Sequence, residues 1–433
     1  MESTLTGGAG NSKLSEVGFP ADNVTSENRE GKFMINVRTY LQKKAEQKAG
    51  EAQQRDFGAL IQKHRLAVFG RALFVILVFA LLGTLVYVQL KNQIYTSYVI
   101  LSSIARQQYD GSVCLSYGNG FLSYSGDGIS YTDAKGNAVW NQAYEMQEPM
   151  VRVSGTHVAV ADYNGHIIYS ISQDGNYIEI DTNLPIHEIS VSESGMVAAV
   201  LEDTGITWIY LYSSLGETIA YIRTTMQNSG YPSAVALSPD GTLMAVSYLT
   251  VDNGTAKSSV AFYNFSSVGQ NYVDNFVSGS DYANAVIPFL AFLDNDTSFA
   301  VADNRLVIYG GGQRPKSVAD VLLNEEIQSV FYNSTHIGLV FLDTTGTGKY
   351  RLDVYNTSGQ IETSLFFDMD YKDIILQNEN IIIYNETQCL LANMSGVERF
   401  NGDFETPYLL FSPIRGNRYL AVSQESIDTI EMR

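Results

Sequence analysis

The sequence predicts an all-β fold for most of the chain, and three observations lead to it. Tyr and Phe, which favour strands, number 28 and 20 among the 433 residues. Strand–turn–strand segments recur along the chain with a spacing of about 40 residues. Most are followed by a third strand that ends in a glycine-containing turn, and several by a fourth strand. Four antiparallel strands at this period form one blade of a β-propeller, so the sequence predicts a propeller.

The strand–turn–strand segments number eight. The clearest is SAVALSPDGTLMAVSYL at 233–249, where SPDG has the residue order of a type I turn and Asp240 is therefore a turn residue. The others begin at residues 114, 151, 189, 289, 330, 375 and 409. The last unit stops after three strands, so residues 98–109 are expected to supply its fourth and close the ring. We expect eight blades; the alternative is seven, with residues 113–124 as the closing strand.

An uncharged apolar segment precedes the repeats. It runs from Ala72 to Leu90 and is bracketed by Arg71 and Lys91. At 1.5 Å per residue it spans roughly 28 Å, enough for one hydrocarbon core. The segment is apolar on every face, unlike the helix of a soluble core, and it lies too far along the chain for a cleaved signal peptide. The sequence therefore predicts one transmembrane helix that contacts the lipid bilayer from Ala72 to Leu90.

Basic residues decide the predicted orientation of this helix. Nine Lys or Arg residues lie from Lys32 to Arg71, whereas only Lys91 and Arg106 lie in the twenty residues that follow Leu90. The more basic flank of a membrane helix stays in the cytoplasm. We therefore expect a single-pass protein of the cell membrane with a cytoplasmic N terminus and an extracellular C-terminal domain.

Five parts make up the predicted organisation. Residues 1–32 are rich in Gly, Ser and Asn and are expected to form a disordered cytoplasmic tail. Residues 33–71 form a basic juxtamembrane helix, and residues 72–90 form the transmembrane helix. Residues 91–112 are a linker that contains the closing strand, and residues 113–433 are the extracellular propeller.

Charge is distributed unevenly along the chain. Residues 1–71 hold 11 of the 27 basic and 8 of the 46 acidic residues, which leaves 16 basic against 38 acidic residues in the rest. A domain this acidic repels nucleic acid, so no nucleic-acid partner is expected. Solubility alone would account for the charge. The expected partners are the bilayer and an unknown protein or cell-wall component.

The sequence contains no recognisable motif for catalysis, metal binding or cofactor binding. YGGGQRP at 309–315 lacks the Lys-Ser/Thr ending of a phosphate loop, and no G-x-S-x-G is present. Asp294 and Asp296, like Asp368 and Asp370, alternate without the rest of a calcium loop and are interpreted as turn residues. We predict no catalytic residue, no metal and no cofactor. The histidines after the membrane segment lack the spacing of a zinc site: His157, His166, His187 and His336.

Cysteines and asparagines in the exported part carry weaker signals. Cys114 and Cys389 are predicted to be free buried thiols, with a disulfide as the alternative. Asn-x-Ser/Thr sequences there would accept glycans in a eukaryotic secretory chain, but we favour Asn-containing turns. The seven are at Asn253, Asn264, Asn295, Asn333, Asn356, Asn385 and Asn393.

A candidate partner-binding surface lies in the expanded unit that begins at residue 233. Its two longest irregular stretches are expected to be loops, at 248–259 and 269–285. The candidate contact residues in these loops are Asp252, Asn253, Tyr272, Asp274, Asp281 and Tyr282.

One stretch, YTDAKGNAVW, resembles a blade of the quinoprotein propellers. In that family an Asp-x-x-Gly turn leads to a Trp that packs between blades, and Asp133, Gly136 and Trp140 match this pattern. The other units keep the glycine turn but place Tyr, Ile, Thr or Phe where the Trp belongs. The metal and cofactor contacts of a pyrroloquinoline quinone enzyme have no match. The resemblance therefore implies the fold and not that cofactor.

From about residue 65 onwards the chain resembles more closely an uncharacterised family of single-pass membrane proteins from Gram-positive bacteria. Members of that family carry an exported, quinoprotein-like propeller. The resemblance implies topology and fold, and no activity comes with it. The matching stretches are GNAVWNQAYEMQEPMV, SGYPSAVALSPDGTLMAVSYL, SSVAFYNF, EEIQSVFY and GNRYLAVSQESIDTIEM.

The leading functional hypothesis is a binding or scaffold protein of the cell envelope, because propellers present loops on two faces around a channel. One alternative is an exported hydrolase or lyase that acts on a carbohydrate or cell-wall component. A second alternative is a transmembrane sensor. Carboxylates that converge with a histidine at the channel mouth would favour the enzyme.

Overall fold

The computed structural model describes residues 37–53, 57–106, 111–227, 229–252, 254–377 and 380–433. The predicted tail at 1–32 lies outside these residues. Two helices come first, α1 (Val37–Gln53) and α2 (Phe57–Lys91). The chain divides into two compact units, Met1–Thr84 and Leu85–Arg433.

Helix α2 contains the apolar segment and extends beyond it. Its stretch Ile61–Gln89 has a mean hydropathy of 2.5 and is long and apolar enough, by length and composition, to cross a membrane. The basic juxtamembrane helix was expected at 33–71. Its last part, residues 57–71, belongs to the same helix as the apolar segment. No residue between 57 and 91 is a proline, so nothing in the sequence interrupts the helix there.

Thirty-two strands follow in the described residues, and they form eight four-stranded sheets. The closing strand and the first four blades are β1 Tyr98–Ala105; β2 Val113–Tyr117, β3 Gly120–Ser125, β4 Gly128–Asp133, β5 Ala138–Ala143; β6 Pro149–Ser154, β7 His157–Asp162, β8 Ile167–Ile171, β9 Tyr177–Asp181; β10 Ile186–Val191, β11 Val197–Asp203, β12 Ile206–Tyr212, β13 Thr218–Thr224; β14 Tyr231–Leu237, β15 Leu243–Asp252, β16 Thr255–Asn264, β17 Phe276–Ala283. The remaining blades are β18 Phe289–Phe292, β19 Thr297–Ala302, β20 Arg305–Gly310, β21 Lys316–Leu322; β22 Ile327–Tyr332, β23 His336–Leu342, β24 Tyr350–Asn356, β25 Ile361–Phe367; β26 Asp373–Gln377, β27 Asn380–Tyr384, β28 Gln388–Asn393, β29 Glu398–Asp403; β30 Leu410–Arg415, β31 Arg418–Val422 and β32 Ser426–Met432.

The sheets confirm the prediction of an eight-bladed propeller. Strand β1 pairs antiparallel with β32, from Tyr98 opposite Met432 to Ala105 opposite Ser426, and so completes blade 8. The seven-bladed alternative is wrong, because residues 113–124 form β2 and β3 of blade 1. Since β1 already covers the free edge of β32, β2 is available to begin a blade of its own.

Hydrophobic cores lie between adjacent blades. One cluster joins Leu122 and Tyr131 of blade 1 to Val158, Val160 and Ile171 of blade 2. The second strand of a blade is covered on both faces, which explains its continuous apolar sequence. In β11, for example, all five residues of VAAVL are buried.

The glycine turns after the third strands fit against the preceding blade. Gly175 has φ +84° and lies under the ring of Trp140, whose indole N–H donates to the carbonyl of Gln173 at 3.1 Å. Gly136 lies in the same way against Ile104 of the closing strand. The interblade tryptophan expected from the quinoprotein resemblance therefore packs between blades 1 and 2.

Side chains reinforce the closing strand. The Asp428 carboxylate is 2% exposed and accepts hydrogen bonds from Ser103 Oγ of β1 at 2.5 Å and from Tyr408 and Ser426 at 2.9 and 3.0 Å. A carboxylate this deeply buried is tolerated only when its oxygens are hydrogen-bonded. The network therefore couples the ends of the propeller sequence.

The predictions of free buried cysteines and of a turn at Asp240 are confirmed, whereas the side chain of Asp370, interpreted as a turn residue, bonds instead to Lys349 and Tyr350. Cys114 and Cys389 are free and buried. Asp240 Oδ1 accepts from Ser238 Oγ at 2.6 Å and from the backbone N–H of Thr242 at 3.0 Å, as a turn residue does. Asn253 lies outside the described residues. Five of the asparagines accept a backbone N–H two residues further on, as in an Asx-turn: Asn264, Asn333, Asn356, Asn385 and Asn393.

Asp373, at the start of β26, is expected to make stability depend on pH. Burial raises the pKa of its carboxyl group. A raised folded-state pKa gives stability that is present in acid and lost as the pH rises through that pKa. Asp373→Asn should therefore melt at a higher temperature than wild type at neutral pH, and the difference should shrink towards zero in acid.

Asp281→Asn is the matched control for this effect. Hydrogen bonds from Ser259 and Lys257 lower the pKa of Asp281, so its contribution is present at neutral pH and lost in acid. At neutral pH, Asp373→Asn should melt at a higher temperature than wild type and Asp281→Asn at a lower one. Both differences should shrink in acid. Equal behaviour of the two variants would contradict the assignment.

Candidate binding site in the central channel

The predicted contact residues do not form one surface. Asp252 ends β15, and Asn253 lies outside the described residues. Tyr272 lies between two short 3-10 turns, Gly269–Asn271 and Val273–Asn275, and Asp274 lies in the second. Asp252 and Tyr272 therefore lie at opposite ends of the ten-residue strand β16.

The stretch 248–259 was expected to be a loop, and this expectation is wrong. It belongs to a long hairpin in which β15 and β16 pair out to Asp252 opposite Thr255. Asp281 and Tyr282 lie in β17, and Tyr282 is only 6% exposed. Its hydroxyl accepts a hydrogen bond from Tyr309 at 2.8 Å, so this side chain belongs to the core.

The loop between β16 and β17 does present an irregular surface. The guanidinium group of Arg314 lies 4.5 Å from the centre of the Tyr272 ring, which joins this loop to the glycine-rich loop of blade 5. Val273 is 84% exposed, and Asp274 has φ +52°. Tyr272 and Asp274 thus stay candidates for contact, at one end of blade 4.

A different group of polar side chains converges on the first strands of blades 2, 3 and 4. These strands, β6, β10 and β14, lie side by side in the inner ring around the channel. We call the group the channel-mouth cluster. It consists of Arg152, Tyr163, His187, Glu188, Glu202 and Tyr231.

Two ion-pair contacts organise the channel-mouth cluster. Arg152 Nη2 lies 2.7 Å from Glu188 Oε1, and the two side chains are 44% and 35% exposed. His187 Nε2 lies 3.0 Å from Glu202 Oε2, and the ring of Tyr163 meets the imidazole edge-on at 5.2 Å. Partly exposed groups of this kind hold each other in place while leaving atoms free for a ligand.

A β-bulge positions the histidine. In the pairing of β10 with β11, Ile186 faces Leu201 and Glu188 faces Val200, so His187 is the extra residue. A bulge re-aims a side chain out of the regular alternation. Both His187 and Glu188 can therefore take part in the cluster, although a regular strand would point them to opposite faces.

The charges of the cluster affect the pKa values of two tyrosines, Tyr231 and Tyr332. Burial raises the pKa of Tyr231, and the charges of Glu202 and Glu188 act in the same direction. Burial also raises the pKa of Tyr332 on β22, and the positive charge of Arg152 opposes that rise. Arg152, on blade 2, thus acts on a tyrosine of blade 6 across the ring. The channel-mouth cluster thus carries charges of both signs.

Sequence reasoning did not find this cluster. His187 was considered only as a possible metal ligand, and its spacing to the other histidines did not match a zinc site. In the part of the chain that the structure describes, no group of three or more His, Cys, Asp or Glu side chains could hold a metal. Arg152 and Glu188 are 36 positions apart, close to one repeat. The repeat period could have pointed to them as equivalent positions on neighbouring inner strands.

Fold and site together define a β-propeller with a polar channel mouth. By sequence the chain belongs to DUF5711, a family of unknown function whose model matches residues 91–432. A search of curated protein sequences finds no significant match. The sequence analysis expected an uncharacterised family, and the family found is likewise one of unknown function.

Several solved structures are similar in fold. BamB from Moraxella catarrhalis is 11% identical, with a TM-score of 0.46 over 78% of this chain and 100% of that one. Porphyromonas gingivalis dipeptidyl peptidase 4 is 12% identical, with a TM-score of 0.49 over 73% of this chain and 56% of that one. Kuenenia stuttgartiensis hydrazine synthase is 13% identical, with a TM-score of 0.40 over 77% and 99%. Likenesses this distant say nothing about activity or ligand.

Proposed function

We propose that this chain is a membrane-anchored extracellular binding protein of the cell envelope of a Gram-positive bacterium. Its channel-mouth cluster binds a polar segment of a partner protein. The observation that carries the proposal is the convergence of Arg152, His187, Glu188 and Tyr231 on neighbouring inner strands. Arg152 pairs with Glu188, His187 pairs with Glu202, and these side chains are partly open to solvent.

The ligand chemistry follows from the charges. Arg152 is the permanent cation of the cluster, and Glu188 and Glu202 are its carboxylates. A partner segment with an acidic side chain for Arg152 and with N–H donors for the carboxylates complements this surface. When such a segment binds, its contacts replace the ion pairs within the cluster, so that no charge is buried without a partner.

Anchoring and orientation are part of the same proposal. The stretch Ile61–Gln89 has the length and hydropathy of a membrane span, and nine Lys or Arg residues precede its uncharged part, which begins at Ala72. The positive-inside rule then places the propeller outside the cell. An acidic surface suits an exported domain that must stay soluble beside anionic envelope polymers.

Site-specific photo-crosslinking in native membranes tests the binding role. A photoreactive residue at Tyr332, the half-exposed last residue of the inner strand β22, should give one major protein adduct in the full-length chain. Arg152→Glu should reduce that adduct on the order of tenfold, since it places three carboxylates together and repels an acidic partner. Lys257→Glu, on the hairpin of blade 4, is the matched charge reversal and should leave the adduct unchanged.

Three outcomes are informative against the proposal. No adduct at Tyr332, or an equal loss with Lys257→Glu, removes the channel from partner binding. An adduct that disappears after glycan digestion replaces the protein partner with a cell-wall polymer.

The contact between His187 and Glu202 favours a second candidate function, hydrolysis of a cell-wall component. A histidine held by a carboxylate beside a tyrosine has the parts of a general base. Turnover of cell-wall glycan or peptide by the purified full-length chain, lost in His187→Ala, would support it. Binding without turnover leaves the binding role alone.

A further inference from the structure

We propose that the seam between blade 8 and blade 1 holds a second binding site, for a small hydroxylated carboxylate of the sugar-acid class. A cavity of about 470 Å³ opens there between the closing strand and blade 1. This volume lies within the range typical of small-molecule sites, roughly 300–1,000 Å³. The site is separate from the channel-mouth cluster, which lies on blades 2 to 4.

The walls of the seam cavity combine polar and apolar surface. Phe121, Ile129 and Ile427 supply apolar surface. Around them lie hydroxyl and amide groups suited to bind ligand hydroxyls, on Ser123, Ser125, Ser130, Thr132 and Asn141.

The seam between blades 1 and 2 is filled by larger side chains. Between blades 1 and 2, Trp140 packs edge-on against Tyr117 and beside Tyr131, and Tyr144 stacks on Tyr169. Ile104 of the closing strand corresponds in position to Trp140, since Ile104 contacts the turn glycine Gly136 as Trp140 contacts the turn glycine Gly175. Ile104 is the smaller side chain. The smaller side chain leaves the seam between blades 8 and 1 open.

Arg106 gives the cavity its charge preference. Its guanidinium group donates to the carbonyl of Ser423 at 2.9 Å, to Ser112 and Ser123 hydroxyls at 3.2 Å each and to Cys114 Sγ at 3.4 Å. All of these acceptors are neutral, and no described carboxylate pairs with Arg106. Within the described residues Arg106 therefore has no counter-charge, and a ligand carboxylate would form charge-assisted hydrogen bonds with it.

Asp127 narrows the class of anion. It lines the same cavity, and no described residue donates a hydrogen bond to its side chain. A free carboxylate accepts hydrogen bonds from ligand hydroxyls, but it repels a second negative charge. A monoanion with several hydroxyl groups therefore fits, whereas phosphate or a dicarboxylate does not.

Calorimetric titration of the full-length chain in detergent tests the proposal, with glucuronate and galacturonate as probes. Glucose serves as the neutral analogue and acetate as the carboxylate without hydroxyls. We expect saturable binding of at least one sugar acid, weaker for both analogues on the order of tenfold, because each lacks one set of charge-assisted or hydroxyl contacts.

Two variants separate binding from folding. Arg106→Gln should weaken sugar-acid binding at least about tenfold. Arg106 also joins blades 8 and 1, so its substitution could weaken binding by destabilising the fold. Asn141→Leu is therefore the second variant, and it should weaken binding severalfold without lowering the melting temperature. Lys257→Gln, which removes an exposed cation from blade 4, should leave binding unchanged.

Four results would overturn the proposal. They are no saturable binding of either sugar acid, acetate binding as tightly as the sugar acids, glucose binding as tightly, and unchanged binding in folded Asn141→Leu.

Discussion

Asp428→Ala is expected to lower the free energy of unfolding by about 2–4 kcal/mol, because it removes a buried acceptor of three hydrogen bonds. Tyr408, which is fully buried, would lose its acceptor where water cannot replace it, and Ser103 and Ser426 would lose theirs closer to solvent. Ser103 lies on the closing strand, so the loss falls on the joint between the two ends of the propeller. Chemical denaturation of the full-length chain in detergent, followed by tryptophan fluorescence, measures the change.

Asp281→Ala is the control for this prediction. Asp281 also accepts two side-chain hydrogen bonds, from Ser259 at 2.6 Å and from Lys257 at 2.9 Å, but its side chain is 65% exposed. Water can replace those contacts, so the expected cost is below about 1 kcal/mol. If both variants lose the same stability, the closing network of Asp428 has no special role.

A second comparison isolates the closing strand itself. Ser103→Ala removes one donor to Asp428 and leaves the others, so it should cost about 1 kcal/mol. Limited proteolysis should then cut the chain near β1 faster in Asp428→Ala than in Ser103→Ala, and faster in both than in wild type. A protection pattern that does not change would show that strand pairing alone holds β1.

The sequence alone was sufficient to predict the propeller repeat and the strand that closes the ring. A period near 40 residues, alternating strands and glycine turns are local properties, and each blade is built mainly from consecutive strands. The missing strand of the last unit could be inferred by counting, and β1 supplies it. Turn residues such as Asp240 and Asn333 bond to their own neighbours, which makes them readable from sequence.

The candidate site depended on contacts that have no local signature. Arg152 meets Glu188 only because two inner strands lie side by side, and His187 joins them only through a bulge. The hairpin at 248–259 was mistaken for a loop because Asp-Asn-Gly-Thr at its tip has the composition of a longer irregular segment. The cavity between blades 8 and 1 arises from ring closure, which joins residues more than 300 positions apart.

Gly175→Ala is expected to lower the free energy of unfolding by about 3 kcal/mol, through backbone strain and overlap with the preceding blade. Its φ of +84° is unfavourable for a residue with a Cβ atom. That atom would lie 2.5 Å from Cβ of Trp140, which cannot swing away because it is the root of the side chain. Denaturation followed by circular dichroism measures the change without relying on Trp140.

Gly205→Ala separates strain from overlap. Gly205 has φ +73°, but no atom lies within 4 Å of the position that its Cβ would take. This variant should therefore cost only the strain of the left-handed backbone, about 1 kcal/mol. Combining Gly175→Ala with Trp140→Gly, which removes the Cβ atom at position 140, should remove the overlap. In this background the substitution of Gly175 should also cost only about 1 kcal/mol. An undiminished cost in the Trp140→Gly background would show that the turn, and not its contact with blade 1, requires glycine.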